Sequence, residues 1–310
     1  MGKKRQSSST KKRERTGGAR NGNVETSGHK HDKDKHRGRK RGTKGARTKL
    51  TAKNADKHLL YQQSVQDPAS EVKFVARVFK KLRGRRAESL REDFCGTALF
   101  CAEWIKSGKQ TPRTATGVDI DADVLAWGRQ HNLEPLGPRA RRVRLLQQDV
   151  RDPCPEKYDI VAAFNFSYWI FETRDELRRY FETVLRSLEP DGIFFLDAYG
   201  GWEAHQPMEE SRACKGFTYV WDQDEIDPIT GHVTNYIHFK FKDGSKLERA
   251  FTYEWRMWSL PELRELLLEA GFDTVAVYWD EADDDDETRY RPHERAENHP
   301  GWLAYLVAKR

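Results

Sequence analysis

Leu90-Arg91-Glu92-Asp93-Phe94-Cys95-Gly96-Thr97-Ala98 reads as a strand that enters a tight turn and then a helix. The turn needs a residue without a β-carbon where backbone must approach a ligand, and Gly96 supplies it. The helix beyond, roughly Thr97 to Ser107, offers free N–H groups and a positive dipole end to an anionic group. The stretch is a degenerate form of the acidic-x-Gly-x-Gly-x-Gly pattern. Glu92 holds the acidic place, Phe94 and Ala98 stand where the first and third glycines would, and Gly96 is the second. On a glycine count alone, an ordinary strand–turn–helix junction fits about as well.

The next unit tips the balance. Ala115-Thr116-Gly117-Val118-Asp119-Ile120-Asp121 is a second short strand ending in a carboxylate, and Asp119 lies 23 positions after Gly96. That is near the roughly 20 residues by which a dinucleotide-type fold brings an acid to ribose hydroxyls. Ala122 to about Asn132 follows as a helix, and Arg142 to Leu146 alternates like a third strand, ending at Gln147-Gln148-Asp149-Val150. Tyr158 to Phe164 is the most apolar run, as a central parallel strand should be.

With these motifs in order, the chain resembles a class I S-adenosylmethionine-dependent methyltransferase. Leu90 to Ala98 is similar to a subgroup whose first motif is spelled Arg-Glu-Asp-Phe-Cys-Gly-Thr-Ala, and the resemblance covers roughly Asp56 to Arg310. It implies an α/β fold: a Rossmann-like, seven-stranded sheet, parallel with an antiparallel last strand, that binds S-adenosyl-L-methionine. It also implies that Asp149 accepts from the adenine amino group while the Val150 amide meets the ring nitrogen. A carboxylate suits an exocyclic amine and the backbone supplies the complementary donor, although an Asp after a strand is often a turn or cap residue. Glu92, Asp93, Gly96, Asp119 and Asp149 are thus assigned to the cofactor, with Arg91, Cys95, Ile120, Val150 and Asn165 beside them. Arg91 equally suits a structural place at the strand end.

In an open parallel sheet, ligands sit beyond the carboxyl ends of the strands. The acceptor therefore belongs near Asn165-Phe166-Ser167-Tyr168-Trp169 and Tyr199-Gly200-Gly201-Trp202. Asn165 and Tyr168 have the spacing of the Asn-Pro-Pro-Tyr motif of methyltransferases acting on planar amines, without its prolines. They are the candidates for positioning the acceptor; packing of Tyr168 and Trp169 against the next helix is the plainer alternative. Tyr61, on one of two helices predicted between Asp56 and Gly84, is a candidate lid residue, with a packed tyrosine as its alternative. Phe217 to Trp258 is β-rich and reads as a three-stranded antiparallel insertion, within residues 202–258, over the active site. Trp202 and Arg256 join Tyr61 and Tyr168 as acceptor-side residues, while most aromatic residues of the insertion suit its own core. Ser259-Leu260-Pro261-Glu262 is a capping box, and the last two strands, Phe272 to Trp279 and Trp302 to Ala308, can pair antiparallel.

Charge is uneven. Residues 1–50 hold 18 Lys or Arg against 4 Asp or Glu, leaving 37 against 45 in residues 51–310. Almost without apolar residues, the first 50 read as a disordered tail. It is either a solubilising segment or an arm contacting nucleic acid through phosphates, without sequence readout. The domain reading is thus a tail over 1–50 and a methyltransferase domain over 51–310, opening with helices over 51–85. Four cysteines form no CxxC pair, which points away from zinc and disulfides and toward reduced thiols in a cytoplasmic enzyme. No apolar run nears the roughly 18 residues of a membrane span, so no membrane partner is expected. Methyl transfer needs alignment of two partners and no covalent enzyme intermediate, so the expected function is transfer to N, O, S or C of a small molecule. Two other readings stand beside it: a methyltransferase acting on RNA or a ribosome-associated protein through the tail, and a non-catalytic nucleic-acid-binding protein on the same fold. A dehydrogenase is disfavoured because Phe94 and Ala98 interrupt the pyrophosphate loop.

Overall fold

The computed structural model describes residues 49–108, 112–280 and 290–310. Side chains that satisfy orphan amides start the helices. Asp56 accepts from the His58 and Leu59 amides at 2.8 and 3.2 Å to open α1 (Lys57–Ser64). Asp67 accepts from the Ser70 amide at 3.3 Å to open α2 (Pro68–Arg83), and Gly84, at φ +71°, closes it. Between them the two helices take up the segment split by Asp67-Pro68.

Five parallel strands follow: β1 (Ser89–Asp93), β2 (Thr114–Asp119), β3 (Val143–Gln147), β4 (Tyr158–Ala163) and β5 (Leu188–Gly200). Helix α3 (Leu99–Ser107) links β1 to β2, and α5 (Arg174–Arg186), opened by a Thr173–Glu176 capping box, links β4 to β5. Between β2 and β3, α4 (Ala122–Gly128) runs into a π turn and then 310 turns. The chain next builds a separate antiparallel sheet from β6 (Met208–Ala213), β7 (Phe217–Gln223), β8 (His232–Phe241) and β9 (Lys246–Arg256). Helix α6 (Leu260–Glu269), with the expected Ser259–Glu262 capping box, returns it to β10 (Thr274–Asp280), β11 (Tyr290–His293) and β12 (Trp302–Lys309).

The main sheet runs β11-β10-β12-β5-β4-β1-β2-β3, with β12 antiparallel to both of its neighbours. Strand order reverses at β1, which has β2 on one side and β4 on the other, so the crevice beyond the carboxyl ends of β1 and β4 is where a ligand fits. Both faces of the sheet are covered. Along β4, Ile160 and Ala162 pack toward α2 and α3, while Val161 and Ala163 pack toward α5 and α6. That double burial is why this run is apolar without alternation.

The structure differs from the expectation in three places. Among the described residues the sheet has eight strands, because Tyr290–His293 adds an edge to β10. The insertion has four strands, because Met208–Ala213 pairs with β7 through its backbone. That strand is almost wholly exposed and carries no alternating apolar residues, so no period announces it. Strand β5 begins at Leu188, five residues before the expected Ile193; the pairing with β4 slips between Tyr158 and Ile160 and absorbs the turn at Pro190-Asp191-Gly192. The basic tail, apart from Lys49 and Leu50, and the acidic run Asp283 to Glu287 lie outside the described residues. Among the described residues no helix is long and apolar enough to cross a membrane.

Candidate active site

The turn after β1 is built with alternating handedness. Phe94, Gly96 and Ala98 take φ of +55°, +50° and +53°, the left-handed region that non-glycine residues rarely enter. All three motif positions therefore keep a glycine-like backbone, although two of them carry side chains. The Phe94 side chain is accommodated by turning its ring onto Phe171 and Tyr180, with centroids 6.0 and 5.8 Å away. Neighbouring elements pin the turn. The Thr97 hydroxyl accepts from Gln62 Nε2 at 2.7 Å, and the Thr97 carbonyl accepts from Asn132 Nδ2 at 2.8 Å. Helix α4 can lie this close only because residue 128 is glycine: a Cβ there would stand 2.4 Å from the Thr97 carbonyl oxygen. In front of Gly96 the space is open, since a Cβ there would meet nothing within 4 Å.

The strand-tip acids gather on this turn. Asp119 Oδ2 accepts from the Gly96 amide at 2.7 Å, and its Oδ1 from the Asp121 amide at 3.0 Å. The Asp119 carbonyl accepts from the Gln148 amide at 3.1 Å, so the tips of β2 and β3 are tied together. Burial pushes the Asp119 carboxyl above the ordinary range, against the pull of those amides. Glu92 Oε2 accepts from the Cys101 amide at 3.0 Å inside α3, and burial pushes its carboxyl up to about 8. Ile120, beside Asp119, is 71% exposed and presents an apolar surface at the tip of β2. Asp149 stands at the tip of β3, where a fork from Arg151, at 3.0 and 2.6 Å, holds its carboxyl low. Among the described residues, Gln148 Nε2 beside it is buried without a hydrogen-bond partner.

Other residues assigned to the cofactor lie behind the crevice. Arg91 and Asp93 have no exposed side-chain surface; they pair at 2.6 Å. Asp93 also accepts from the Tyr180 hydroxyl at 2.9 Å. The Arg91 guanidinium donates to Ser187 Oγ at 3.0 Å and to the Val150 carbonyl at 2.9 Å, so it holds the β3 exit loop from below. Cys95 is buried, with its sulfur over Gly117.

On the acceptor side, Asn165 and Phe166 both take φ +58° at the end of β4. The Asp197 carboxylate holds them, accepting from their amides at 2.8 and 3.0 Å, and burial pushes it up to about 7. Asn165 is half-buried at the crevice. Tyr168 is fully buried and donates its hydroxyl to the Asp197 carbonyl at 2.7 Å, which is the packed arrangement. Trp202 is 48% exposed at the end of β5. Arg256 donates to the Glu172 carbonyl and to Glu262 and lies over the Trp258 ring, so its guanidinium secures the start of α6. Tyr61 packs on Phe251, 4.9 Å between centroids.

Comparison with known proteins agrees with this geometry. Residues 95–194 match the family described as a methyltransferase domain. The chain carries a methyltransferase domain. YqeM of Bacillus subtilis (strain 168), named as a candidate methyltransferase, is 22% identical over 198 residues, spanning 61% of this chain and 75% of YqeM. The fold is shared with an S-adenosylmethionine-dependent methyltransferase from Clostridium acetobutylicum (TM-score 0.59, 17% identity, 81% of this chain and 96% of that one). It is also shared with S-adenosylmethionine-bound CalS10, an amino pentose methyltransferase of Micromonospora echinaspora (TM-score 0.60, 16% identity, 82% and 95%). KedS8, a sugar N-methyltransferase of Streptoalloteichus, gives 0.57 at 18% identity over 84% and 94%. The fold is thus that of S-adenosylmethionine-dependent methyltransferases, with a methyltransferase-domain match over residues 95–194.

Sequence reasoning missed further buried or half-buried polar residues. Glu71 of α2 lies near Asp197 and Glu92; burial first, then those charges, push its carboxyl up to about 8. Its signal was available, since Glu71 sits one turn before Val75 on the buried face of α2. Asp197 likewise interrupts the apolar run Ile193 to Ala198, and Asn235 interrupts the inward face Val233, Ile237, Phe239, Phe241 of β8.

Proposed function

We propose that this methyltransferase moves the methyl group of S-adenosylmethionine to a small-molecule acceptor held between the strand tips and the four-stranded sheet. The observation that supports the reading is the 2.7 Å bond from the Gly96 amide to Asp119, which ties the open turn to the carboxylate proposed for the ribose. The residues suit the cofactor. The open face at Gly96, the exposed Ile120 and, among the described residues, the unpartnered Gln148 amide, all at strand tips β1 to β3, offer backbone approach, an apolar surface and a donor. In this assignment Asp119 takes the ribose hydroxyls, Ile120 flanks the adenine, Asp149 accepts from its amino group while the Val150 amide meets the ring nitrogen, and Glu92 faces the methionine end. Arg91 and Asp93 act through Val150, as positioning residues. When bound, S-adenosylmethionine supplies a methyl group activated on a sulfonium.

The chain's own contribution is alignment, which is worth roughly 7–11 kcal/mol of barrier in well-oriented reactions. A small acceptor is supported by the sheet β6–β9 and by likeness in fold to CalS10 and KedS8, whose names give an amino pentose and a sugar nitrogen as their targets. Calorimetric titration with S-adenosylhomocysteine and with NAD tests the cofactor assignment: binding of the first alone is expected, and binding of neither removes it.

A further inference from the structure

His238, on β8, fastens a bulge in the four-stranded sheet. The β8–β9 pairing matches Ile237 with Phe251 and Phe239 with Leu247, so residues 248–250 bulge out opposite His238. In the middle of that bulge Arg249 takes φ +47°, a left-handed backbone that a side chain with a β-carbon disfavours. An imidazole holds it there: the Arg249 amide lies 3.0 Å from His238 Nδ1. A backbone N–H can only donate, so Nδ1 must accept. The ring proton then belongs on Nε2, which lies 3.2 Å from Asp222 Oδ2 on β7. The Arg249 guanidinium lies over the Tyr236 ring, 4.6 Å from its centroid, and adds a second tie.

The bulge matters because of what it aims. Alternation along β8 turns His238 to the opposite face from Ile237 and Phe239. Phe251, directly across from Ile237, shares the face that packs on α1. Its ring meets Tyr61 at 4.9 Å and His58 at 6.1 Å, and Lys57 Nζ lies 5.3 Å from its centroid. Helix α1 in turn reaches the turn after β1, where Gln62 Nε2 donates to Thr97 Oγ1 at 2.7 Å, next to Gly96. An unbroken series of contacts thus runs from the His238 ring through Arg249, Phe251 and α1 to that turn.

Resting on the cofactor assignment above, we propose that His238 is a proton-operated latch on S-adenosylmethionine binding. Neutral, it holds the bulge that seats Phe251 against α1. Charged, it carries an N–H on both ring nitrogens and cannot accept, so the Arg249 amide is released and α1 loosens its hold on Thr97. The groups around the ring set the balance. Asp222 on β7 and Glu209 on β6 favour the charged ring, while Lys240 on β8 and Lys246 and Arg249 on β9 oppose it. Tyr236 on β8 and Glu248 in the bulge complete the surroundings. An imidazole charges between about pH 5 and 8, so affinity for the cofactor falls as pH drops through that range.

The test uses the full chain and S-adenosylhomocysteine, titrated calorimetrically at pH 7.5 and 5.5. Kd is expected to rise by about fivefold or more at the lower pH. The carboxyls of Glu71, Glu92 and Asp197 and the ring of His58 add their own pH dependence, so variants isolate the latch. His238→Asn offers an oxygen to the Arg249 amide and does not titrate. It should bind like the unaltered chain at pH 7.5 and lose most of the change at pH 5.5. His238→Leu cannot accept and should bind weakly at both. In a Phe251→Ala background, His238→Asn should alter nothing, since the route to α1 is cut. A pH dependence in His238→Asn equal to that of the unaltered chain overturns the latch, as does tight binding by His238→Leu. An effect of His238→Asn that survives Phe251→Ala overturns the route. Hydrogen exchange reads the latch without ligand: protection of the Arg249 amide should fall about tenfold between pH 7.5 and 5.5 in the unaltered chain and persist in His238→Asn. Unchanged protection in the unaltered chain overturns the latch, whereas failure of that chain to bind S-adenosylhomocysteine at pH 7.5 defeats the cofactor assignment instead.

Discussion

Asp119 carries two duties in one carboxylate: it fixes the Gly96 amide at 2.7 Å and, in the proposed assignment, takes the ribose hydroxyls. Asp119→Ala should therefore weaken S-adenosylhomocysteine binding by well over tenfold in calorimetry; an unchanged Kd removes its assigned role. Arg91 makes the opposite kind of prediction. Removing it strands the Asp93 carboxylate in a place with no exposed surface, which costs about 3–5 kcal/mol for a buried pair broken on one side. Arg91→Leu should show that loss in urea unfolding, whereas the Arg91→Leu, Asp93→Leu double variant should recover most of it. The spacing of Gly96 and Asp119 was legible in the chain because strand, turn and crossover lengths are local geometry. The inward course of Arg91 and Asp93 was not, because alternation along a strand buried on both faces does not say which side meets solvent.

At the scale of elements, the turn after β1 is a junction of three helices. Gln62 of α1 and Asn132 just beyond α4 hold the Thr97 oxygens, and α4 approaches on Gly128. Gly128→Ala forces a Cβ against the Thr97 carbonyl backbone, with overpacking costs of about 1–3 kcal/mol. The expected result is a lower Tm together with at least tenfold weaker S-adenosylhomocysteine binding, while Gly244→Ala, in a distant hairpin, should affect stability alone. Helices were readable from caps and 3.6-residue periods, as with Asp67, Ser259 and the face Val72, Val75, Val78, Phe79. Strand β6 was not, since Met208–Ala213 is held by backbone pairing at an exposed edge.

Across the whole molecule, the raised carboxyls of Glu71 and Glu92 (to about 8) and Asp197 (to about 7) govern stability near neutrality. The folded chain keeps protons there that the unfolded chain loses at its ordinary carboxylate values. The unfolded state thus binds fewer protons between about pH 5 and 8, and stability must fall as pH rises through that window. Calorimetric melts should show Tm declining from pH 5.5 to 8.5, with a shallower slope in Glu71→Gln; a Tm that rises over that range contradicts the burial of these groups. Ligand should act in the other direction: S-adenosylhomocysteine at a hundred times its Kd adds about 2.7 kcal/mol, read as an upward shift of the same melt.

The amino-acid sequence by itself determined the order of helices and parallel strands, the glycine-bearing turn and the acid one strand later, because each is set by short-range pattern. Tertiary structure alone decided which polar side chains turn inward. Glu71, Asp197 and Asn235 come from α2, β5 and β8, far apart in the chain. Tyr168 turns inward from the segment where the acceptor was sought. Local propensity describes how each element coils or extends, but burial and shared charge arise only when elements pack, so the polar residues on inward faces acquired their meaning in the assembled fold.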